Sequence, residues 1–318
     1  MKSPLKPAGS SRILLLLAVL WLAVILLFAA LKPTMFSAST LTTILQFSTI
    51  LALVSLGQCL VILAGGAGID LSVGGIVSLS VVLAMLAVKA GLPPALLPVG
   101  CILAGLLLGL LNGILVTRLK ILPLIATLGT LFVYSGLALA LTGGAAQSGV
   151  PTWLLPWGRG MILSLPMPFV TVVLPVFIIA AVLLLYSAWG RWLFAMGFNE
   201  RSARLVGIPV DGARLLVYGL SGLFAGLAGL VSLAWLGSAR PNIGQNLELE
   251  SLTAVMLGGV AITGGVGGVG GVIAAVILLV TLKTGLLQLN VNTVWQVGIV
   301  GGLLIAVLLI ERLSKRWS

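Results

Sequence analysis

The chain has 318 residues, 60% hydrophobic and 7% charged, with a mean hydropathy of +1.28, which excludes an ordinary soluble domain and makes lipid its main solvent. The net charge of +11 comes from 17 basic residues in short clusters between apolar segments, so it reads as membrane topology and not as a nucleic-acid stripe. The absence of histidine removes imidazole as base, metal ligand or proton relay, and Cys59 and Cys101, in apolar runs without metal-ligand spacing, read as small packing residues.

Apolar runs of about 20 residues, each enough to cross the roughly 30 Å hydrocarbon core as a helix, recur along the chain. Ten spans are expected near 13–31, 41–63, 72–89, 94–117, 122–141, 168–187, 213–235, 250–263, 270–287 and 294–311. They are unbroken rather than alternating, which disfavours an outer-membrane barrel. The first follows Lys2, Lys6 and Arg12, and its length without a convincing cleavage site favours a retained helix over a signal peptide. With the N-terminus inside, the inner side collects those three residues with Arg118, Lys120, Arg191, Arg201, Arg204, Arg214, Arg312, Lys315 and Arg316. Lys32, Lys89, Arg159, Arg240 and Lys283 are left outside, as the positive-inside rule requires.

The expected fold is therefore all-α: one polytopic α-helical membrane domain over 1–318, with about ten transmembrane helices. Residues 1–12, 188–212 and 312–318 are expected in the cytoplasm and 142–167 outside, where Trp153 and Trp157 suit a membrane surface. Glycine concentrates at Gly65 to Gly75 (GGAGIDLSVGG) and Gly258 to Gly271 (GGVAITGGVGGVGG), expected helix breaks that the helix count puts toward the same side of the membrane. The breaks include Gly68, Gly258, Gly259, Gly264 and Gly265.

Asp70 is an acidic residue embedded between apolar spans, where an ionised carboxylate needs partners. It reads either as a group in the solute path or as a cap for the helix opening at Leu71, work that Ser72 is equally able to do. Gln58, Asn112 and Thr127 read either as uncharged hydrogen-bonding groups along a passage for a hydroxylated solute or as bridges between helices. The stretch 190–216 reads as an amphipathic helix from Asn199 to Gly207, halted by Pro209, with Ala203 and Val206 on one side and Glu200, Arg201 and Arg204 on its polar edges. An ordinary positive-inside loop is the alternative.

Gly197-x-Asn199-x-x-Ser202-Ala203-x-x-x-Gly207-Ile208 resembles the coupling loop of permeases in the ribose and branched-chain amino acid group of ABC importers, with Ser202 in place of a usual alanine. GIDLSVGG resembles the sugar-type members, with Ala67 in place of their first glycine. Ile125-Ala126-Thr127-Leu128-Gly129-Thr130 after Pro123 is similar to a further signature. Leu257-Gly258-Gly259 followed by Gly264-Gly265, Gly267 and Gly271 is similar to a fourth, with Ala261 replacing its serine. The stretch 236–259 looks most like rhamnose and autoinducer-2 type permeases.

The resemblance implies a permease that pairs with a second copy or close homologue, takes a sugar-like solute from a periplasmic or lipid-anchored binding protein, and is driven by two cytoplasmic ATPase domains. ATP and Mg are then held by that partner, and no cofactor is expected in this chain. In agreement, Lys283-Thr284 lacks the glycine-rich loop of G-x-x-x-x-G-K-S/T. Residues 197–208 are expected to transmit closure of the ATPases to the spans, and Arg159, Arg240, Glu248 and Glu250 to dock the binding protein. The competing class is an ion-coupled secondary transporter with Asp70 at a midplane site. An intramembrane enzyme ranks last, for want of a nucleophile and base.

Overall fold

The computed structural model describes residues 10–32 and 37–314, and is built almost wholly from helices. In chain order these are α1 (Ser10–Leu31), α2 (Ala38–Leu63), α3 (Val73–Lys89), α4 (Leu97–Thr117), α5 (Pro123–Thr142), α6 (Leu155–Arg159), α7 (Leu174–Tyr186), α8 (Ala188–Phe198), α9 (Glu200–Leu205), α10 (Val210–Leu236), α11 (Leu247–Leu257), α12 (Val269–Gln288) and α13 (Thr293–Ser314). A hairpin, β1 (Met161–Ile162) and β2 (Leu165–Pro166), follows α6. Lys2, Lys6, Lys315 and Arg316 of the charge argument lie outside the described residues.

Local chemistry sets the helix ends. Ser37 caps α2 by accepting from the Thr40 amide at 3.3 Å. Pro98 and Pro123 occupy the first turns of α4 and α5, where no amide donor is needed. Gly143 and Gly237 end α5 and α10 in the left-handed conformation. Pro175 has no amide to give the preceding turn, and Phe169–Val173 accordingly widens to a π-turn that runs straight into α7.

Among the described residues, six helical segments are long and apolar enough to cross a membrane: Ala38–Leu63, Pro94–Thr117, Pro123–Thr142, Phe169–Tyr186, Val210–Leu236 and Val269–Gln288. Leu17–Leu31, Val73–Lys89 and Val294–Ile305 are shorter apolar stretches. The expected span at 250–263 is corrected. It is the 11-residue α11, roughly 16 Å long at 1.5 Å per residue and too short to cross alone. From the far end of α10 the chain returns into the bundle, where the Gly244 amide donates to Ser78 Oγ at 3.0 Å beside the start of α3. Only there does α11 begin. Its sequence is less apolar than those of the full spans and opens with Glu248 and Glu250 in its first turn, a sign of a half-helix that the sequence reading passed over.

Helix α2 is the centre of the bundle, with 89% of its apolar window buried against 28% for α5. Helix α10 crosses α4 along two facing rows of glycine, Gly105 and Gly109 against Gly222 and Gly226, which bring backbone against backbone. Cys101 lies at the end of this seam, its carbonyl against Gly226, and Cys59 is buried in α2, both packed as small apolar residues. Helix α1 joins by seating Phe28, 1% exposed, over Gly285 of α12.

A side chain on Gly109 would bring a Cβ to 2.8 Å from the Gly222 Cα. Gly109→Val is expected to destabilise the protein by at least about 1–3 kcal/mol, read as a lower unfolding temperature in detergent. Gly136→Val, where an added Cβ meets nothing within 4 Å, is expected to leave that temperature nearly unchanged.

Candidate translocation and coupling site

Asp70 lies in the unwound segment between α2 and α3 and is fully buried. Its Oδ1 accepts from the Ser72 amide at 3.1 Å and the Ser72 hydroxyl at 2.6 Å, and its Oδ2 accepts from Ser221 Oγ of α10 at 2.8 Å. Asn112 of α4 donates from Nδ2 to Ser72 Oγ at 2.6 Å, and Tyr134 of α5 has its hydroxyl 3.2 Å from Asn112 Oδ1. Thr127 Oγ1, also on α5, donates to the Ile69 carbonyl at 3.2 Å. One carboxylate thus ties α3, α4, α5 and α10 together. Asp70 and Ser72 form an Asx-type turn ahead of α3, and Ser72, at the N-cap position, makes no side-chain cap. Asp70, Ser72, Asn112 and Thr127 are all sealed from solvent, so in this conformation they bridge helices and line no open passage. Gln58 is equally buried in α2, with neither amide atom bonded to a described residue.

At the end of the bundle near Val210, α9 is a single helical stretch with both ends specified. Asn199 Oδ1 accepts from the Ser202 amide at 3.0 Å. At the other end Gly207, with φ +81, lets its own amide reach the Arg204 carbonyl at 3.1 Å and the Ile208 amide the Ala203 carbonyl at 3.1 Å. Glu200 accepts from Arg204 at 2.9 Å and from Arg214 of α10 at 2.8 Å, Arg204 also reaches Asp211 at 2.7 Å, and Lys120 reaches Asp211 at 3.2 Å. The hydrogen bond from Arg214, and then that from Arg204, hold the Glu200 carboxyl below the usual carboxylate range, and the bonds to Asp211 and Glu200 raise the Arg204 guanidinium.

The two glycine breaks and the start of α9 meet at one point. The Gly265 amide donates to the Leu63 carbonyl at 3.1 Å. A Cβ on Gly65 would come within 2.6 Å of the Gly197 Cα, one on Gly264 within 2.5 Å of the Gly65 Cα, and one on Gly265 within 2.5 Å of the Phe198 amide nitrogen. Gly68 lies against the Val61 carbonyl, and Gly258 against Val272 of α12, followed by Gly259 at φ +83. The end of α2, the loop before α12 and the segment leading into α9 therefore interlock through backbone alone.

The architecture and these motifs agree with one family. The family described as "Branched-chain amino acid transport system / permease component" matches residues 40–308. The chain belongs to it. It is 37% identical over 290 residues to the ribose import permease protein RbsC of Bacillus subtilis (strain 168), covering 91% of this chain and 89% of that protein. It is 36% identical over 294 residues to the autoinducer 2 import system permease protein LsrC of Yersinia pestis (strain Pestoides F), covering 91% and 83%. No solved structure matches the chain. As a multi-pass permease component of an ABC transport system, the protein leaves ATP hydrolysis to a separate subunit, needs no cofactor of its own, and is not the ion-coupled transporter that Asp70 alone allowed.

Several side chains of this permease sit elsewhere than their sequence positions implied. Glu248 is drawn in beside Gly74, its Oε2 without a described partner, and Glu250 bonds Lys283 of α12 at 2.6 Å. Both are part-buried, because the chain re-enters the bundle before α11. Arg159 and Arg240 are both exposed, Arg159 donating to the Trp235 carbonyl at 2.9 Å at the C-terminus of α10 and Arg240 to Ser238 Oγ at 3.4 Å. Ala203 and Val206 do not share a face: Ala203 is 2% exposed, against 77% for Val206. Glu200 and Arg204 are held within the chain, and Arg201 and Ser202 remain exposed. Sequence reasoning missed Phe198 and Leu205, both 83% exposed: Leu205 and Val206 form an apolar tip at the end of α9, and Phe198 is exposed just before its start. The signal was there in three apolar residues beside a charged six-residue helix.

A carboxyl whose folded pKa is depressed stabilises the folded arrangement fully above its unfolded value, near 4.3, and that contribution is lost as pH falls through the folded value. The attachment of α9 to α10 through Glu200 is therefore expected to be constant above about pH 5 and to loosen below about pH 4. A spin label at Ser202 should gain mobility over that acid range, and Glu200→Gln should give the mobile spectrum at neutral pH.

Proposed function

We propose that the chain carries a neutral, hydroxylated, sugar-like solute into the cytoplasm by ATP-driven alternating access, as one of two permease subunits, with α9 as the coupling helix. The observation that carries the reading is the form of α9: a capped helix fastened to α10 by Glu200–Arg214 and Arg204–Asp211, presenting Phe198, Leu205 and Val206 outward. An exposed apolar tip on a rigidly held stub suits a groove in a partner protein. Gly197, Asn199, Gly207 and Ile208 shape the stub, Ala203 anchors it, and Arg201 and Ser202 flank the tip.

The ribose and autoinducer 2 systems named for the two relatives support a solute of ribose, rhamnose or xylose type, or autoinducer-2. In this reading both termini and α9 face the cytoplasm, residues 142–167 face the periplasm of a bacterial inner membrane, and Arg240 is an exposed side chain that steers a periplasmic or lipid-anchored binding protein. Asp70 and its partners shape the path from behind, as the joint that positions α3 and α5.

Leu205→Glu changes an exposed side chain, so the chain is expected to fold normally but to bind its ATPase at least about tenfold more weakly, measured by co-purification and by ATP-driven uptake in proteoliposomes. Uptake of labelled ribose, rhamnose, xylose and autoinducer-2 with the matched binding protein identifies the solute. Uptake by this chain alone on an ion gradient, with no need of ATP, would overturn the reading.

A further inference from the structure

Helix α10 carries a polar line on one face. Arg214, Tyr218 and Ser221 follow at spacings of four and three, which stacks them along the helix. The two ends of the line are bonded: Arg214 to Glu200 of α9 at 2.8 Å, and Ser221 to Asp70 at 2.8 Å. Its middle is not. Tyr218 is fully buried and its hydroxyl meets no hydrogen-bond partner among the described residues, nor does the buried Nε of Arg214. The Arg214 guanidinium sits against Gly66, where a Cβ would lie 2.9 Å from its Cζ, so the backbone beside it has been kept clear.

Leaving a hydroxyl and a guanidinium N–H unbonded in a sealed interior costs free energy, and such groups call for an explanation. Phenylalanine would fill the same space without that cost. The donors and acceptors complement one another: Arg214 Nε–H only donates, a carboxylate only accepts, and a tyrosine hydroxyl does both. Both gaps therefore close together if the Tyr218 hydroxyl accepts from Arg214 and donates to Asp70.

We propose that Arg214 and Tyr218 are positioning residues for coupling, unpaired in this conformation and joined in the ATP-bound one into a continuous line Glu200–Arg214–Tyr218–Asp70. Displacement of α9 shifts Glu200, Arg214 follows its carboxylate, and the guanidinium comes to the Tyr218 hydroxyl. The hydroxyl then engages Asp70, whose bonds reach Ser72, Asn112 and Tyr134, so α3, α4 and α5 move with the coupling helix. The bonds gained make the ATP-bound arrangement more favourable without any new contact to the solute. The inference rests on α9 being the element that a separate ATPase moves.

The test uses the complex of the permease with its ATPase subunits, spin-labelled at Ser202 beside α9 and at Leu163 in the hairpin turn, which is 92% exposed. In the wild type, trapping with ATP and vanadate is expected to shift the distance between labels. Absence of a shift in the wild type would overturn the reading of α9 and with it the inference that rests on that reading. Tyr218→Phe is expected to keep or raise the unfolding temperature without nucleotide, to bind the ATPase as before, and to lower the trapped, shifted fraction by roughly fivefold or more. Arg214→Lys, which keeps a cation for Glu200 but removes Nε, is expected to give the same loss and serves if Tyr218→Phe fails to assemble. A normal shift in both variants overturns the proposal, as a water bridging the two groups would predict. A large drop in nucleotide-free stability of Tyr218→Phe overturns it too, because the hydroxyl would then have a partner in this state.

Discussion

Unwound chain in a helical bundle needs partners for its backbone wherever water does not reach, and this protein interrupts its helices twice, in segments that leave Gly66, Ala67, Thr263 and Val266 exposed but bury Asp70 and Gly264. The segments 64–72 and 258–268 meet that demand in different ways. The second turns on its own bonds, Ala261 to Val266 and Gly264 to Ala261, then bonds Leu63 at the end of α2 through Gly265. The first uses a carboxylate, with Asp70 collecting donors from its own turn and from α10. Burial by protein requires close approach, and close approach requires glycine, which is why Gly65, Gly197, Gly264 and Gly265 share one junction. The glycine content that composition recorded as a helix-breaking tendency is thus also what seals the breaks.

The same junction explains why a six-residue helix can matter to a bundle of long ones. A helix as short as α9 has no stability of its own. It is held from both ends, by the backbone contact of Gly197 with Gly65 before it and by Arg204–Asp211 and Glu200–Arg214 after it. The helix thus contacts α2 through backbone and α10 through charge. These ion pairs are partly exposed, so each contributes little to stability alone. Their value lies in fixing the orientation of α9 in this conformation and in keeping Arg214 with Glu200.

Much of this was legible in the sequence, and the reason differs by feature. Helices α2, α4, α5, α10 and α12 follow from apolar runs of sufficient length, and the ends of α9 from Asn199 and Gly207, because capping is local chemistry. What stayed hidden depends on contacts between distant residues. Nothing in the run 250–263 reports that the preceding segment has already descended to Ser78, so α11 reads as a full span and Glu248 and Glu250 as surface charges. Asp70 announced that it needed partners without saying whether they were solute, proton or protein. Ser221 is 151 residues away and unremarkable by itself.

Polar residues inside the bundle therefore divide by what the fold does with them. Asp70, Ser72 and Asn112 have their bonding capacity turned on one another and Thr127 donates to the backbone beside Asp70, which gives a joint among four helices. Gln58 and Tyr218 keep capacity in reserve, sealed where neither lipid nor bulk water meets it, and the part-buried Glu248 keeps Oε2 unpaired among the described residues. A bundle serving only as scaffold gains from replacing such groups with apolar ones, since a buried hydroxyl or amide without a partner is destabilising. An alternating-access permease must stabilise two packings with one set of side chains, and a bond satisfied in one is then open in the other. Unpaired buried atoms also lie at Ser48 and Ser55 of α2, Trp189 of α8 and Gln288 of α12, but Arg214 and Tyr218 of α10 are the pair that stands between α9 and the Asp70 joint. A change of partners between two packings would use those two while the Asp70 joint travels as a unit.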